Sequence, residues 1–192
     1  FLSFMSGNTT RFATAAVEGD GHLAWLAGSC LGLFLAGVIL GALVHRLSRR
    51  RWGLSRAREV VLATVTALFL ISSLLVAVGT DRVAVLVLSV GIGALNSVFE
   101  RDGEVAVPLT YMTGTLVKMG QRLVDAFFGG SHVRWIAHLV LWAGLAAGAV
   151  LGAATFNAVG IRTVYVIAAY TLVVAVVNQL VRERRRRLGL PL

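Results

Sequence analysis

Long apolar stretches separated by short polar linkers run through the whole chain. A hydrocarbon core about 30 Å thick is crossed by a helix of ~20 apolar residues. The stretches that meet this length are Leu23–Val44, Val60–Val78, Trp135–Thr155 and Thr163–Val181. The pattern therefore predicts an all-α fold, a polytopic transmembrane helical bundle.

Residues 83–128 depart from this simple pattern. A shorter apolar stretch, Val83–Val98, is followed by a charged break at 100–104 and then by a second stretch, Leu109–Phe128. We interpret the two pieces as one discontinuous span, with the alternative that part of the segment is re-entrant or lies along the interface. At the start of the chain, Phe1–Val17 resembles the end of a span. Because the chain begins with Phe rather than Met, we expect a fragment or a processed form.

Composition excludes a soluble domain. Of the 192 residues 57% are apolar and 14% are charged, whereas a soluble domain carries roughly 25% charged residues. The mean hydropathy is +0.82. The deficit of charge indicates an outer surface that faces lipid.

The basic residues are bunched, and this predicts the orientation. Eleven of the 18 Lys and Arg residues lie in the loop 46–58 and in the tail 182–187. Basic clusters beside apolar spans normally face the cytoplasm. The alternating linkers 18–22, 79–82 and 156–162 carry only two basic residues and are expected outside. Counting crossings between the two clusters favours six spans. The net charge of +9 does not indicate nucleic-acid binding, because no aromatic or glycine-rich pattern accompanies the arginines.

A polar motif occurs twice. Residues 3–18 read SFMSGNTTRFATAAVE and residues 110–125 read TYMTGTLVKMGQRLVD, at a constant offset of 107. The apolar segments 36–43 and 147–154 are also similar. Within a single membrane domain, 1–192, we predict a first repeat, 1–78, whose N-terminal half-helix is missing, and a second repeat, 79–192. Three crossings per copy make the repeats inverted in topology, an arrangement found in transporters with a midplane site at interrupted helices.

The second helix of each predicted repeat, which is its first whole helix, carries Gly-x-x-x-Gly. The pairs are Gly37 with Gly41 and Gly148 with Gly152. Small residues at this spacing let two helix backbones approach closely. We favour packing between neighbouring helices of one chain, and a contact between two copies in a homo-oligomer is the alternative.

The repeated motif has the chemistry of a polar binding site. Ser, Thr and Asn side chains cap helix starts, and free N–H groups at such a start favour an anion or a polar ligand. The alternative is that these hydroxyls only satisfy the interrupted backbone. The predicted substrate-binding residues are Ser6, Gly7, Asn8, Thr9, Arg11, Asn96, Thr113, Gly114, Thr115 and Lys118.

Two cations and one amide complete that set. Arg11 and Lys118 follow the motif glycines by one helical turn, and a cation inside a span is costly unless it is paired, faces water or reaches the interface. We expect Lys118 to face the interior or a water-filled vestibule. Asn96 lies near the break in the discontinuous span and either caps it or faces a ligand. For Arg122 we expect an interfacial position.

The chain contains few motifs for proton relay, metal binding or catalysis. The acidic residues Glu100, Asp102 and Glu104 are candidates for proton relay or for a solvated loop. The four histidines lack metal-ligand spacing, and no nucleophile, phosphate-loop or paired-cysteine motif occurs. We expect no catalysis, no metal and no cofactor.

The motifs FMSGNTT near the start, GALNS at 93–97 and TYMTGTL at 110–116 resemble the YoaK-like family of small bacterial inner-membrane proteins, a domain of unknown function. The resemblance covers nearly all of the chain and implies six spans. It also implies that Gly7, Asn8, Thr113, Gly114 and Thr115 occupy motif positions. The chain departs from the family pattern at Leu95, where the family usually has Gln.

These patterns lead to two functional hypotheses. The first is a secondary transporter or permease for a small solute, in which the twin motifs face each other. The second is a non-transporting membrane protein, either an assembly or signalling partner or a passive channel. The partners expected in both cases are the lipid bilayer and, for the first, an unidentified solute.

Overall fold

The computed structural model describes residues 2–101, 104–105, 112–131 and 133–188. Seven α-helices make up most of this described part. They are α1 Met5–Glu18, α2 Gly21–Trp52, α3 Leu54–Ala77, α4 Asp81–Leu95, α5 Met112–Phe127, α6 Arg134–Val159 and α7 Thr163–Arg187. The predicted all-helical class is confirmed, with one small addition. Strands β1 Glu100–Arg101 and β2 Glu104–Val105 form an antiparallel hairpin in which Glu100 is opposite Val105.

The chain divides into two compact units. Unit 1 comprises Phe1–Ala106 and Ile161–Leu192, and unit 2 comprises Val107–Gly160. Unit 1 therefore holds α1 to α4, the hairpin and α7, whereas unit 2 holds α5 and α6.

Three helical stretches in the described residues are long and apolar enough to cross a membrane. They are Gly21–Trp52, Leu54–Ala77 and Trp135–Arg187. The third is interrupted at Gly160, where φ is +61° and ψ is −138°, and a 3-10 turn, Gly160–Arg162, separates α6 from α7. The described helices thus include three stretches that have the length and apolar composition of membrane spans.

Local chemistry explains the boundary between α1 and α2. Gly19 ends α1 in the left-handed conformation with φ +78°, which costs a glycine little because it has no Cβ. Asp20 then caps α2, its side chain accepting a hydrogen bond of 2.9 Å from the Leu23 N–H. Helix α2 continues past the predicted end at Val44 to Trp52, about 48 Å in all, because arginine is a good helix former and the helix need not stop at the interface.

The helix before the interruption ends earlier than predicted. The expected helical piece Val83–Val98 is α4, Asp81–Leu95, so its last three predicted residues are not α-helical. The cause is Asn96, whose side-chain amide donates to the carbonyl oxygens of Ile92 and Gly93 at 3.3 Å. These bonds satisfy carbonyl groups that the next helical turn would otherwise use. Of the second predicted piece, 109–128, the described residues form α5 from residue 112 to 127.

Helices α2 and α4 pack backbone to backbone in unit 1. A Cβ added at Gly37 would lie 2.1 Å from the carbonyl oxygen of Val90. One turn later, a Cβ at Gly41 would lie 2.8 Å from the carbonyl oxygen of Ala94. Both contacts advance in the same direction, so the two helices run parallel. Packing within the chain, which we favoured for this Gly-x-x-x-Gly pair, is confirmed.

Helices α3 and α7 run antiparallel through the core of unit 1. Near the end of α3, the Ser73 hydroxyl donates to the carbonyl oxygen of Val164, near the start of α7, at 3.4 Å. Near the start of α3, Glu59 lies 3.2 Å from Arg182, near the end of α7. The apolar core between the helices is a cluster from α3, α4 and α7 that includes Val61, Val65, Phe69, Leu88, Val164 and Ala168.

Candidate functional site

A set of buried polar side chains lies where α4 ends in unit 1. We call it the α4-end cluster and define it as His45 and Ser48 of α2 with Asn96, Ser97 and Glu100, which follow α4. Their exposed fractions are 1%, 4%, 3%, 4% and 7%, respectively. Buried polar groups are costly unless they are paired, so a concentration of five in a largely apolar helical unit marks a candidate site.

Close helix packing positions this cluster. A Cβ added at Gly41 would lie 2.9 Å from the Ser97 hydroxyl oxygen, so glycine brings the α4 end directly against α2. One helical turn after Gly41 comes His45, and Glu100 follows Ser97 after the helix has ended. The interruption at Asn96 therefore lets the chain turn and carry a carboxylate to the face of α2.

His45 and Glu100 form the charged part of the cluster. The Nδ1 atom of His45 lies 3.7 Å from the Oε1 atom of Glu100. This is within ion-pair range and longer than a hydrogen bond, for which 2.7–3.2 Å is usual. In the described part of the chain, neither ring nitrogen of His45 has a hydrogen-bond partner. The imidazole is thus held beside a carboxylate without being saturated by other contacts.

The first copy of the predicted motif forms the start of α1, and its side chains point in different directions. Asn8 is buried, with 5% of its surface exposed, and its amide lies 3.9 Å from the Met5 sulfur. Ser6, Thr9 and Arg11 are exposed, and Gly7 is partly buried. A Cβ added at Gly7 would lie about 2.0 Å from the Phe4 ring. The Thr9 hydroxyl donates to the Met5 carbonyl oxygen at 3.0 Å, so this hydroxyl satisfies the backbone.

The second copy opens α5 in unit 2 and shows a related pattern. Thr115, which is equivalent to Asn8 at the offset of 107, is fully buried. Thr113, Gly114 and Lys118 are exposed. The described starts of α1 and α5, Met5 and Met112, are also 107 residues apart. In each unit, then, one polar position of the motif is buried in the first helical turn, Asn8 in unit 1 and Thr115 in unit 2.

Lys118 lines an open cleft between α5 and α6. The cleft has a volume of about 600 Å³, and its lining residues are Lys118, Gln121, Arg122, Asp125 and His138. Asp125 pairs with Arg122 at 3.2 Å on the exposed surface of α5. The Nδ1 atom of His138 is buried and has no hydrogen-bond partner among the described residues. The substrate-binding role of Lys118 stays a prediction.

Comparison with known proteins identifies the family of the chain. Residues 1–177 match the family described as "Protein of unknown function (DUF1275)". The chain belongs to the DUF1275 family. It is also 31% identical over 160 residues to a UPF0700 transmembrane protein of Rhizobium meliloti (strain 1021), a match that covers 83% of this chain and 67% of the relative. No solved structure matches. This DUF1275 member is an integral membrane protein of unknown function.

Sequence reasoning brought Asn96 into the candidate site of this DUF1275 protein but missed His45. The spacing of the histidines was informative only about metal ligands, and Glu100 was predicted only as one of three acids that either relay protons or form a solvated loop. A usable signal was present in α2, because Gly37, Gly41, His45 and Ser48 recur at helical spacing on one face. A histidine that continues a stripe of small residues must enter the same helix interface.

Proposed function

We propose that this DUF1275 member is a secondary transporter or permease for a small solute, and not an enzyme. The observation that carries the proposal is the ionisable pair His45–Glu100, buried beside an interrupted helix in a membrane protein. Ionisable residues within membrane domains are expensive and usually mark pathways for ions or solutes. Interrupted helices are tolerated where they are enclosed by protein or line a cavity.

An inverted repeat is part of the same proposal. In the predicted arrangement, α3 and α7 are equivalent last helices and should run in opposite directions, and they do pack antiparallel in unit 1. The buried pair of equivalent positions, Asn8 and Thr115, also supports a repeat. We propose six spans, with α4 and α5 as the two pieces of one discontinuous span. On the family level, we propose that the YoaK-like proteins and this chain share the arrangement.

The orientation that we propose has both arginine clusters in the bacterial cytoplasm. Support comes from α3 and α7, because Glu59 contacts Arg182 at 3.2 Å and Arg186 at 3.6 Å. The arginine-rich tail therefore lies at the same end of unit 1 as the arginine-rich loop. Such clusters normally face the anionic lipid of the cytoplasmic leaflet.

Cysteine labelling tests this orientation. The labelling sites are Arg50→Cys, Arg185→Cys and Asn157→Cys, all exposed positions, in a Cys30→Ala background. We expect the first two to react from the cytoplasmic side and the third from the opposite side. Labelling of Arg50→Cys and Asn157→Cys from one side would refute the proposed topology.

Transport itself is tested by counterflow in proteoliposomes. The purified protein is reconstituted and screened with labelled amino acids, carboxylates, sugars and nucleosides. We expect saturable exchange of one solute class that depends on the protein. Flux that does not saturate would favour a passive channel. An absence of flux for every class would favour an assembly or signalling partner, and pull-down of another membrane protein or a stable homo-oligomer would then be sought.

A further inference from the structure

We propose that His45 and Glu100 form a proton-binding site and that the proton is the coupling ion of this protein. The coupling part of the inference rests on the proposed transport function, whereas proton binding stands independently. The two side chains come from different elements, α2 and the hairpin strand β1, and they are 3.7 Å apart at their nearest polar atoms. As whole residues, His45 is 1% exposed and Glu100 is 7% exposed.

The chemistry of this pair suits a proton better than a metal or sodium ion. A divalent transition metal needs three or four ligands, and the described residues contain no group of three or more His, Cys, Asp and Glu side chains that could hold one. Sodium prefers oxygen ligands, and here one of the two groups is an imidazole. Imidazole and carboxylate together can accept, share and release one proton, and histidine is the side chain that changes charge near neutral pH.

Two charged side chains of α2 near the pair are exposed, and one acid of α3 is already paired. On α2 itself, Arg46 and Arg49 are exposed. On α3, Glu59 is engaged by Arg182 and Arg186 of α7. Among the described residues, the one ion-pair partner of the His45 ring is Glu100.

Two further arginines add positive charge at this end of unit 1. Both lie at the start of α3, which packs against α2: Arg56 is exposed, whereas the Nε atom of Arg58 is buried without a hydrogen-bond partner among the described residues.

Charge balance links proton loading to movement. Without the proton, a neutral imidazole lies beside a carboxylate, and the buried site carries one net negative charge. When water supplies one proton, the site becomes an imidazolium–carboxylate pair or a neutral hydrogen-bonded pair, and its net charge is zero. A buried uncompensated charge is far more costly than a paired one. The loaded site can therefore stay enclosed between α2 and the α4 end, whereas the unloaded site must open to water.

Proton binding is measured by infrared difference spectroscopy of the reconstituted protein between high and low pH. We expect a carboxyl difference band, from protonation of the carboxyl group or from its pairing with an imidazolium, that is lost in Glu100→Gln and retained in Glu183→Gln, which removes an exposed acid from the tail. Because the two groups titrate together, His45→Gln should shift the pH at which the band appears, whereas His22→Gln should not. If Glu100→Gln does not fold, Glu100→Asp should keep the band at a displaced frequency.

The opposite results overturn the inference. A band that persists in folded Glu100→Gln, or that is unchanged in frequency in Glu100→Asp, would assign the proton elsewhere. If the band appears at the same pH in His45→Gln as in wild type, the histidine does not take part in proton binding.

Coupling is measured with the solute panel of the counterflow screen in liposomes that contain a pH-sensitive dye. We expect an inward proton gradient to increase uptake by tenfold or more in wild-type protein, and Glu100→Gln to retain exchange but lose this increase. Uptake driven by a sodium gradient and indifferent to the proton gradient would overturn proton coupling while leaving transport intact. A titrating Glu100 with no solute flux would refute transport and retain the proton site.

Discussion

Helices α2 and α6 carry the same Gly-x-x-x-Gly pattern in different surroundings. In unit 1, the backbone of α4 presses against Gly37 so closely that a Cβ there would lie 2.1 Å from a carbonyl oxygen. In unit 2, Gly148 has no heavy atom of the described residues of that unit within 4 Å of its ideal Cβ. Packing within the chain thus holds for the α2 pair and is not seen in unit 2 for the α6 pair. The pattern permits close approach, and a partner helix must supply the contact.

The same two units also differ in how they hold charged side chains. His45 and Glu100 are buried against each other in unit 1, whereas Arg122 and Asp125 of unit 2 have side chains 46% and 56% exposed. A surface ion pair contributes roughly 0–1 kcal/mol. A buried group that loses its partner costs more, because it can no longer be hydrated. The difference shows that helix packing buries the charged pair of unit 1, whereas the charged pair of unit 2 lies on the surface.

The largest effect is expected at the α2–α4 contact. Gly37→Ala places a Cβ against backbone atoms of Val90, which cannot rotate away, and should destabilise the protein by about 3 kcal/mol or more. Gly148→Ala adds the same atom to open space and should not destabilise it, because alanine favours a helix. Thermal melting of the purified protein in detergent measures both. Equal melting of the two variants would remove the distinction between α2 and α6.

The next effect concerns the two polar pairs. Glu100→Ala leaves His45 buried without its carboxylate and should cost about 1–3 kcal/mol. Asp125→Ala should change stability by less than about 1 kcal/mol, because its pair with Arg122 is exposed and screened by solvent. Chemical denaturation monitored by circular dichroism gives both values. A larger loss for Asp125→Ala would contradict the comparison between buried and exposed pairs.

A smaller effect is expected where α3 meets the end of α7. Arg182→Gln removes the pair with Glu59 and a hydrogen bond that the guanidinium donates to the Ser55 carbonyl oxygen. Because the side chains of Arg182 and Glu59 are 16% and 24% exposed, about 1 kcal/mol is expected. The control is Arg185→Gln, at an exposed position of the same tail, which should melt like wild type. Identical melting of the two variants would show that the pair adds nothing.

The smallest effect on stability, with a large effect on function, is expected at Lys118. Its exposed ammonium lines the cleft of unit 2, so Lys118→Met should melt within about 0.5 kcal/mol of wild type. If the cleft belongs to the solute pathway, counterflow should fall at least tenfold, and Arg11→Met at the equivalent position should do the same. Arg187→Met in the exposed tail is the control. Unchanged flux in Lys118→Met would show that this lysine has no role in transport.

The candidate site was only partly accessible from the sequence. Asn96 stood out because an amide within an apolar stretch needs partners, and the structure places it at the helix end, bonded to Ile92 and Gly93. Asn8 and Thr115 stood out because the motif repeats. The pairing of His45 with Glu100 could not be read in this way, since 55 residues separate them and only the contact of α2 with α4 brings them together.

The sequence by itself determined the class of protein, the approximate helices and the bunching of arginine. These are local properties, because span length, hydropathy and helix-ending residues act within a few turns of the chain. Tertiary structure alone decided that Gly37 meets Val90, that the α6 glycines have no such neighbour in their unit, and that a histidine faces a carboxylate at the end of α4. The physical reason is that apolar helices share nearly the same pattern on every face, so close fit between backbones, rather than hydrophobicity, selects the faces that meet.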